Sequence, residues 1–163
     1  MKKVILIFSF IGVVTLNGTF AQDGISIKKG NSFLYAGSNS IDISFADRTK
    51  VINLTAMGGY FVANKFAIVG GLGYGWLSFA DFSDDTWIFA VGVRSYLVEA
   101  KNGGLFLEGL LLLAQTDILR ITAGYSLFLN SRVAVEPTLI YGLPFDEDAP
   151  NIFSIGANFS IFF

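Results

Sequence analysis

The chain of 163 residues has no cysteine and no histidine, and only three prolines. Charged residues make up 15% of it, against roughly 25% in an ordinary soluble domain. Without cysteine there is no disulfide scaffold and no thiol chemistry. Without histidine the usual general base, the commonest zinc ligand and most hydrolytic triads are gone together. Long apolar runs are scarce as well. Beyond the first 21 residues the densest, Leu105 to Ala114, is ten residues long and contains Glu108, well short of the roughly 20 that a spanning helix needs. There is also no basic stripe of the kind that holds phosphates, which argues against a nucleic-acid partner.

What is abundant is apolar and small. The chain is 53% apolar and 15% aromatic, with 18 glycines. A secreted soluble protein of this composition would need a very large buried core. Apolar residues spread over short alternating segments instead form the pattern of a transmembrane β-barrel.

Residues 1–21 read as an export signal: Lys2 and Lys3, an apolar stretch from Val4 to Leu16, then Thr19, Phe20 and Ala21 before the cleavage point. A domain of residues 22–163 would remain. Its eleven basic residues less Lys2 and Lys3 leave nine against thirteen acidic ones, a net charge of −4.

After a polar lead the sequence divides into eight segments of about 10 to 14 residues separated by turn residues. They run Ser32 to Phe45, Lys50 to Val62, Phe66 to Phe79, Thr86 to Leu97, Leu105 to Ala114, Ile118 to Leu129, Val133 to Leu143 and Asn151 to Phe163. The last has the cleanest period of two: Phe153, Ile155, Ala157, Phe159, Ile161 and Phe163 against Ser154, Gly156, Asn158, Ser160 and Phe162. In the first, Phe33, Tyr35, Ile41, Ile43 and Phe45 share one parity. The fifth has leucine on both parities and taken alone also suits a buried helical turn. Pro137 removes a backbone donor, so a bulge or local defect is expected in the seventh. The fold class expected is all-β, an eight-stranded antiparallel up-and-down transmembrane barrel.

Alternation does not by itself say which face looks out. A soluble barrel needs an outer face rich in charge, whereas the polar parity here is Gly, Ser, Thr, Asn and Ala. Small residues suit the narrow interior of an eight-stranded barrel. The expected arrangement is Phe, Ile, Leu and Val outward and the small residues inward. Arg94 and Glu108 then lie inward on neighbouring strands near one rim, Glu136 at a similar height across the lumen, and Arg120 nearer the other rim. Such a lumen charge network is either a path for ions or an ion-paired plug, since an unpaired buried charge is costly. Tyr74, Trp76, Trp87 and Tyr141 fall at one end of their strands and Tyr60, Tyr125 and Phe163 at the other, as two aromatic girdles would.

Four stretches carry a family resemblance: Gly59-Tyr60-Phe61-Val62 leading into Phe66-Ala67-Ile68-Val69-Gly70, Val93-Arg94-Ser95-Tyr96, Val133-Ala134-Val135-Glu136, and Phe159-Ser160-Ile161-Phe162-Phe163. In this order the chain from about Ser32 to Phe163 resembles the OmpA/OmpX-like small outer-membrane barrels, the bacterial porin-family outer membrane protein beta-barrel domain. The resemblance implies the outer membrane of a diderm bacterium, and a C-terminal signal read by the barrel-assembly machinery at Phe159, Ile161 and Phe163. It implies outer-membrane lipids and lipopolysaccharide as surroundings, with the protein a monomer. Some members bind host factors through long loops. Here the loops near Ala80 to Asp85, Gln115 to Asp117 and Pro144 to Pro150 are short.

The function expected is therefore non-enzymatic: a structural or narrow-pore outer-membrane barrel, with no catalytic residue, cofactor or metal. Barrel enzymes that act on lipids resemble one another in needing histidine. One alternative is a surface module that contacts lipopolysaccharide or external partners through Asp81, Asp84, Asp85, Asp117 and the run Asp146, Glu147, Asp148, sharing divalent cations with phosphate. Another is a soluble exported barrel with an apolar ligand inside.

Overall fold

The computed structural model describes residues 27–37, 41–46, 49–79, 82–100, 102–115, 117–146 and 148–163. The expected signal at 1–21 and the acidic positions Asp81 and Glu147 lie outside them. The strands are β1 (Ser32–Gly37), β2 (Ile41–Ala46), β3 (Thr49–Ala63), β4 (Phe66–Phe79), β5 (Phe82–Ala100), β6 (Gly103–Leu113), β7 (Ile118–Phe128), β8 (Val133–Pro144) and β9 (Ile152–Phe162). Neighbours in sequence pair antiparallel from β2 round to β9, and β1 pairs with both β9 and β3, which closes the sheet. β1 and β2 both run along β3 and make one stave between them. The molecule is thus a closed eight-stranded antiparallel all-β barrel. The leucine-rich fifth segment is strand β6, paired over its length with β7.

The period of two becomes two faces. On β9, Phe153, Ile155, Phe159 and Ile161 are exposed on the outside while Ser160 and Phe162 are buried inside. Outward residues elsewhere include Leu72, Phe89, Val91 and Leu139, all exposed.

The first stave departs from the expected parity. Phe33 and Tyr35 point inward, 1% and 5% exposed, and it is Leu34 that looks out at 57%. The register explains why the sequence misleads. β1 pairs with β3 as far as Tyr35↔Met57, and β2 resumes at Ile41↔Leu54, so five residues, 36–40, stand against two, 55–56. Three extra residues are an odd number and reverse the alternation. The apparent single face running from Phe33 to Phe45 belongs to two.

The loop expected at Ala80 to Asp85 is mostly strand. β4 and β5 stay paired out to Phe79↔Phe82, passing Leu77↔Asp84 and Trp76↔Asp85. β5 meets β6 only from Phe89↔Leu113 inward. Together β2, β3, β4 and β5 therefore project as a four-stranded sheet past the rim set by β6 to β9. Above a lipid boundary both faces of a hairpin meet water, so alternation ceases to mark it.

Pro137 produces a defect without a bulge. Paired positions on β7 and β8 stop at Gly124↔Thr138 and resume at Leu127↔Val135 in unchanged register. Register shifts occur instead at Phe61/Ala63 and Tyr96/Val98. At the turn end, Lys65 takes a positive φ of 65° in the tight β3–β4 connection. The Asn130 side chain accepts from the amides of Arg132 and Val133 at 2.9 Å each to make the β7–β8 turn, a local geometry that asparagine favours. Residues Ile27–Asn31 cross this end as a strap. The Lys65 amide donates to the Ile27 carbonyl and the Gly30 amide to the Phe61 carbonyl. Ile27, read from sequence as part of a polar lead, has its side chain in the core.

Candidate functional site

The inward face of the turn-end half is filled by rings. Phe33, Phe61, Tyr96, Phe106 and Phe162 are each at most 1% exposed. Consecutive contacts link them: Phe33 to Phe61 at 5.3 Å, Phe33 to Phe162 at 5.4 Å, Phe61 to Tyr96 at 6.1 Å and Tyr96 to Phe106 at 5.6 Å between centroids, within the range where aromatic pairs add to simple burial. Inward glycines give these rings their seats. Phe33 lies over its cross-strand partner Gly59, Phe106 over its partner Gly124, and Tyr96 over Gly104, each occupying the space a β-carbon would take. The glycine parity therefore marks a crowded interior more than an open one.

Above this layer lies the charge network. Arg94 and Glu108 are cross-strand partners on β5 and β6. The Arg94 Nε donates to Glu108 Oε2 at 2.9 Å, and its Nη2 stands 2.8 Å from the same oxygen as an ion pair. Its Nη1 donates to both carboxylate oxygens of Glu136, on β8, at 3.1 Å each. Arg120, on β7, brings Nη2 to 3.8 Å from Glu108 Oε1 and is 24% exposed in its side chain. The structure thus places all four sequence-predicted charges in one cluster, two cations against two anions. Arg120 is its loosest member.

Five participants carried no charge signal in the sequence. The Tyr35 hydroxyl donates to Glu108 Oε2 at 3.0 Å. Ser126 Oγ donates to Glu136 Oε1 at 2.6 Å, and the Tyr96 hydroxyl lies 3.0 Å from Ser126 Oγ. Phe106, Tyr35 and Phe33 hold their ring centroids 4.1, 4.5 and 4.9 Å from the Arg94 guanidinium carbon, a cation–π cage. Tyr96 and Phe106 could have been found from parity, since each stands two residues from a network charge on its own strand. Tyr35 could not, because the insertion after β1 hides its side.

Chemically the cluster is charge-compensated and, apart from Arg120, buried. Arg94, Glu108 and Glu136 are 0%, 1% and 0% exposed. Charges so buried survive only when paired and hydrogen-bonded on most of their atoms. Nothing in the arrangement presents a nucleophile with an adjacent base to a substrate. Among the described residues no three acidic side chains gather as a metal site.

The outer residues sort by height through the register. Tyr74 pairs with Trp87, and Trp76 with Asp85, near the loop end. Tyr141 pairs with Phe153. Tyr60 pairs with Ser32 and Tyr125 with Leu105, both near the turn end, where Phe163 is hydrogen-bonded to Ser32. Phe159 and Ile161 face outward on β9.

No family model matches this chain, and no curated protein matches it. Among solved structures it is similar to the N-terminal β-barrel domain of Pseudomonas aeruginosa OprF, at 11% identity and a TM-score of 0.49, over 83% of this chain and 98% of that one.

Proposed function

We propose that the protein is a non-enzymatic integral barrel of the outer membrane with a structural role, its lumen closed to ions. The observation that carries this is the complete burial of Arg94 between Glu108 and Glu136, over a floor of stacked rings. An ion crossing here would have to separate paired charges in a low-dielectric interior and displace the aromatic layer beneath them.

Membrane insertion is supported by the outer surface. Between the levels of the two girdles, the charges whose side chains are described, Arg94, Glu108, Arg120 and Glu136, all belong to the lumen. Outside, Ile155 is 76% exposed and Phe153 68%, a continuous apolar band that water would penalise. A soluble ligand-binding barrel would need the opposite assignment of faces. Export by the segment 1–21, residence in a diderm outer membrane, and handling by the assembly machinery through Phe159, Ile161 and Phe163 belong to the same reading.

Planar-bilayer recording on purified, heat-modifiable protein tests it. A flat trace is expected; reproducible unitary steps from the folded form would replace the closed barrel with a narrow pore. A second reading, contact with lipopolysaccharide or an external partner, is favoured by the four-stranded sheet projecting from the loop end. There Asp84 and Asp85 sit on strand β5 with no β6 partner beside them.

A further inference from the structure

We infer that the outer face of the β4–β5 hairpin near the loop end seats the sugar headgroup of a glycolipid, on a platform made by Tyr74, Trp76, Trp87 and Asp85. The inference rests on the membrane reading above and adds a lipid class to it.

Read outward along the hairpin, this face changes chemistry in three steps. Leu72 and Phe89 are partners and both exposed. On the same face, Tyr74 and Trp87 come next, their rings 5.1 Å apart and tilted by 56°, with Trp87 54% exposed. Trp76 follows opposite the exposed carboxylate of Asp85, and beyond it Ser78 opposite Ser83. Hydrocarbon, then aromatic faces, then a carboxylate and hydroxyls is the order in which a glycolipid presents its parts. Acyl chains lie against the leucine and phenylalanine. The C–H face of a sugar carries partial positive charge and packs on the electron-rich indole and phenol faces. Sugar hydroxyls donate to Asp85.

The Asp85 carboxylate disfavours a phosphate headgroup. Over Phe66–Phe79 and Phe82–Ala100 the sequence has one cation, Arg94, and that side chain is sealed in the lumen. A phosphate at the platform would meet the exposed carboxylate of Asp85, Asp84 having the opposite parity; the nearest cationic position by register is Lys50 on β3, opposite Ser78, one pair further out. An uncharged, hydroxyl-rich headgroup meets no such repulsion. The other girdle positions lack these features: Tyr141 faces Phe153 and Ile121, and Tyr125 faces Leu105. Both tryptophans of the chain are at this platform, so it reports on itself.

The test reconstitutes the whole barrel in phosphatidylcholine vesicles containing a minor, equal fraction of either galactosyl diacylglycerol or phosphatidylcholine with brominated acyl chains. Tryptophan emission is then quenched by whichever lipid lies against the platform. The brominated galactolipid is expected to quench roughly two- to five-fold more than brominated phosphatidylcholine, the excess expected of a modest aromatic contact. Asp85→Asn and, with Trp76 as the remaining reporter, Trp87→Leu are expected to erase the excess while the barrel stays heat-modifiable. Equal quenching by the two lipids in the wild-type barrel overturns the glycolipid site and leaves the membrane reading intact. Absence of quenching by either lipid overturns both. Soluble methyl galactoside changing the emission as strongly as the galactolipid overturns the lipid source in favour of a free sugar.

Discussion

Arg94 and Glu136 stand 42 residues apart in sequence, on strands β5 and β8, yet one guanidinium nitrogen reaches both carboxylate oxygens at 3.1 Å, with neither side chain open to solvent. The pair crosses the lumen, and with Glu108 on β6 and Tyr35 on β1 it ties four staves together from within. Where the sheet's backbone hydrogen bonds join only adjacent strands, this is a cross-brace.

Removing one partner is therefore costlier than removing all. Glu136→Ala leaves Arg94 with only Glu108 to balance it and is expected to cost about 3–5 kcal/mol. The combined replacement of Arg94, Glu108, Arg120 and Glu136 by Met, Leu, Met and Leu is expected to fall within about 1–2 kcal/mol of the parent. Urea unfolding of the lipid-inserted barrel, read by gel mobility, measures both. Equal losses in the two variants would mean that the network does not act as a unit.

The outer face gives a depth profile. Val91→Arg and Leu139→Arg, midway between the girdles, are expected to cost about 2–4 kcal/mol each, and Leu129→Arg at the turn-end rim no more than about 1 kcal/mol. In a water-exposed barrel all three would be near neutral. Equilibrium unfolding in lipid vesicles distinguishes the two profiles.

Glycines on the two faces respond oppositely to added side chains. A β-carbon at Gly124 would meet the Phe106 ring, with Thr138 Cγ2 at 3.0 Å, so Gly124→Val is expected to lose about 1–3 kcal/mol by overpacking. A β-carbon at Gly70 would meet only the Ala90 carbonyl oxygen at 3.5 Å. Gly70→Ala should then be neutral or gain a few tenths of a kcal/mol, roughly, by restricting the unfolded chain. Thermal unfolding followed by loss of β-sheet circular dichroism compares them.

The strap is open to the same kind of test. Ile27 is 2% exposed within the aromatic core, so Ile27→Ala is expected to cost about 2–5 kcal/mol, the range for truncating a buried aliphatic side chain. Amide exchange should rise first at Gly30 and Lys65, whose amides bond across the strap. A change below about 0.5 kcal/mol, the scale of an unremarkable surface substitution, would show that the strap adds nothing to closure.

Much of this was legible in the alternation because the barrel wall imposes it. Residues on one face meet an apolar phase, and residues on the other a lumen too narrow for anything but side chains. From Phe66 to Phe79 the sequence boundaries coincide with strand β4. Where the constraint lapses, so does the signal. The acidic start of β5 extends beyond the strand positions that β6 pairs, and Asp84 and Asp85 read as loop because nothing there requires a greasy face. Parity counting also cannot see an odd insertion, so the sides of Phe33 and Tyr35 follow only from the register on β3.

Residue pattern alone was enough for the architecture: eight short staves, antiparallel and closed, with no disulfide and no histidine chemistry. It was enough because period, segment length and composition act residue by residue along a strand. Tertiary structure alone decided which partners Arg94 would have, that aromatic rings rather than small residues fill the turn end, and that the platform of Tyr74 and Trp87 lies beside a carboxylate. Those are relations across the barrel, fixed by shear and register between strands far apart in the chain, and no local pattern encodes them.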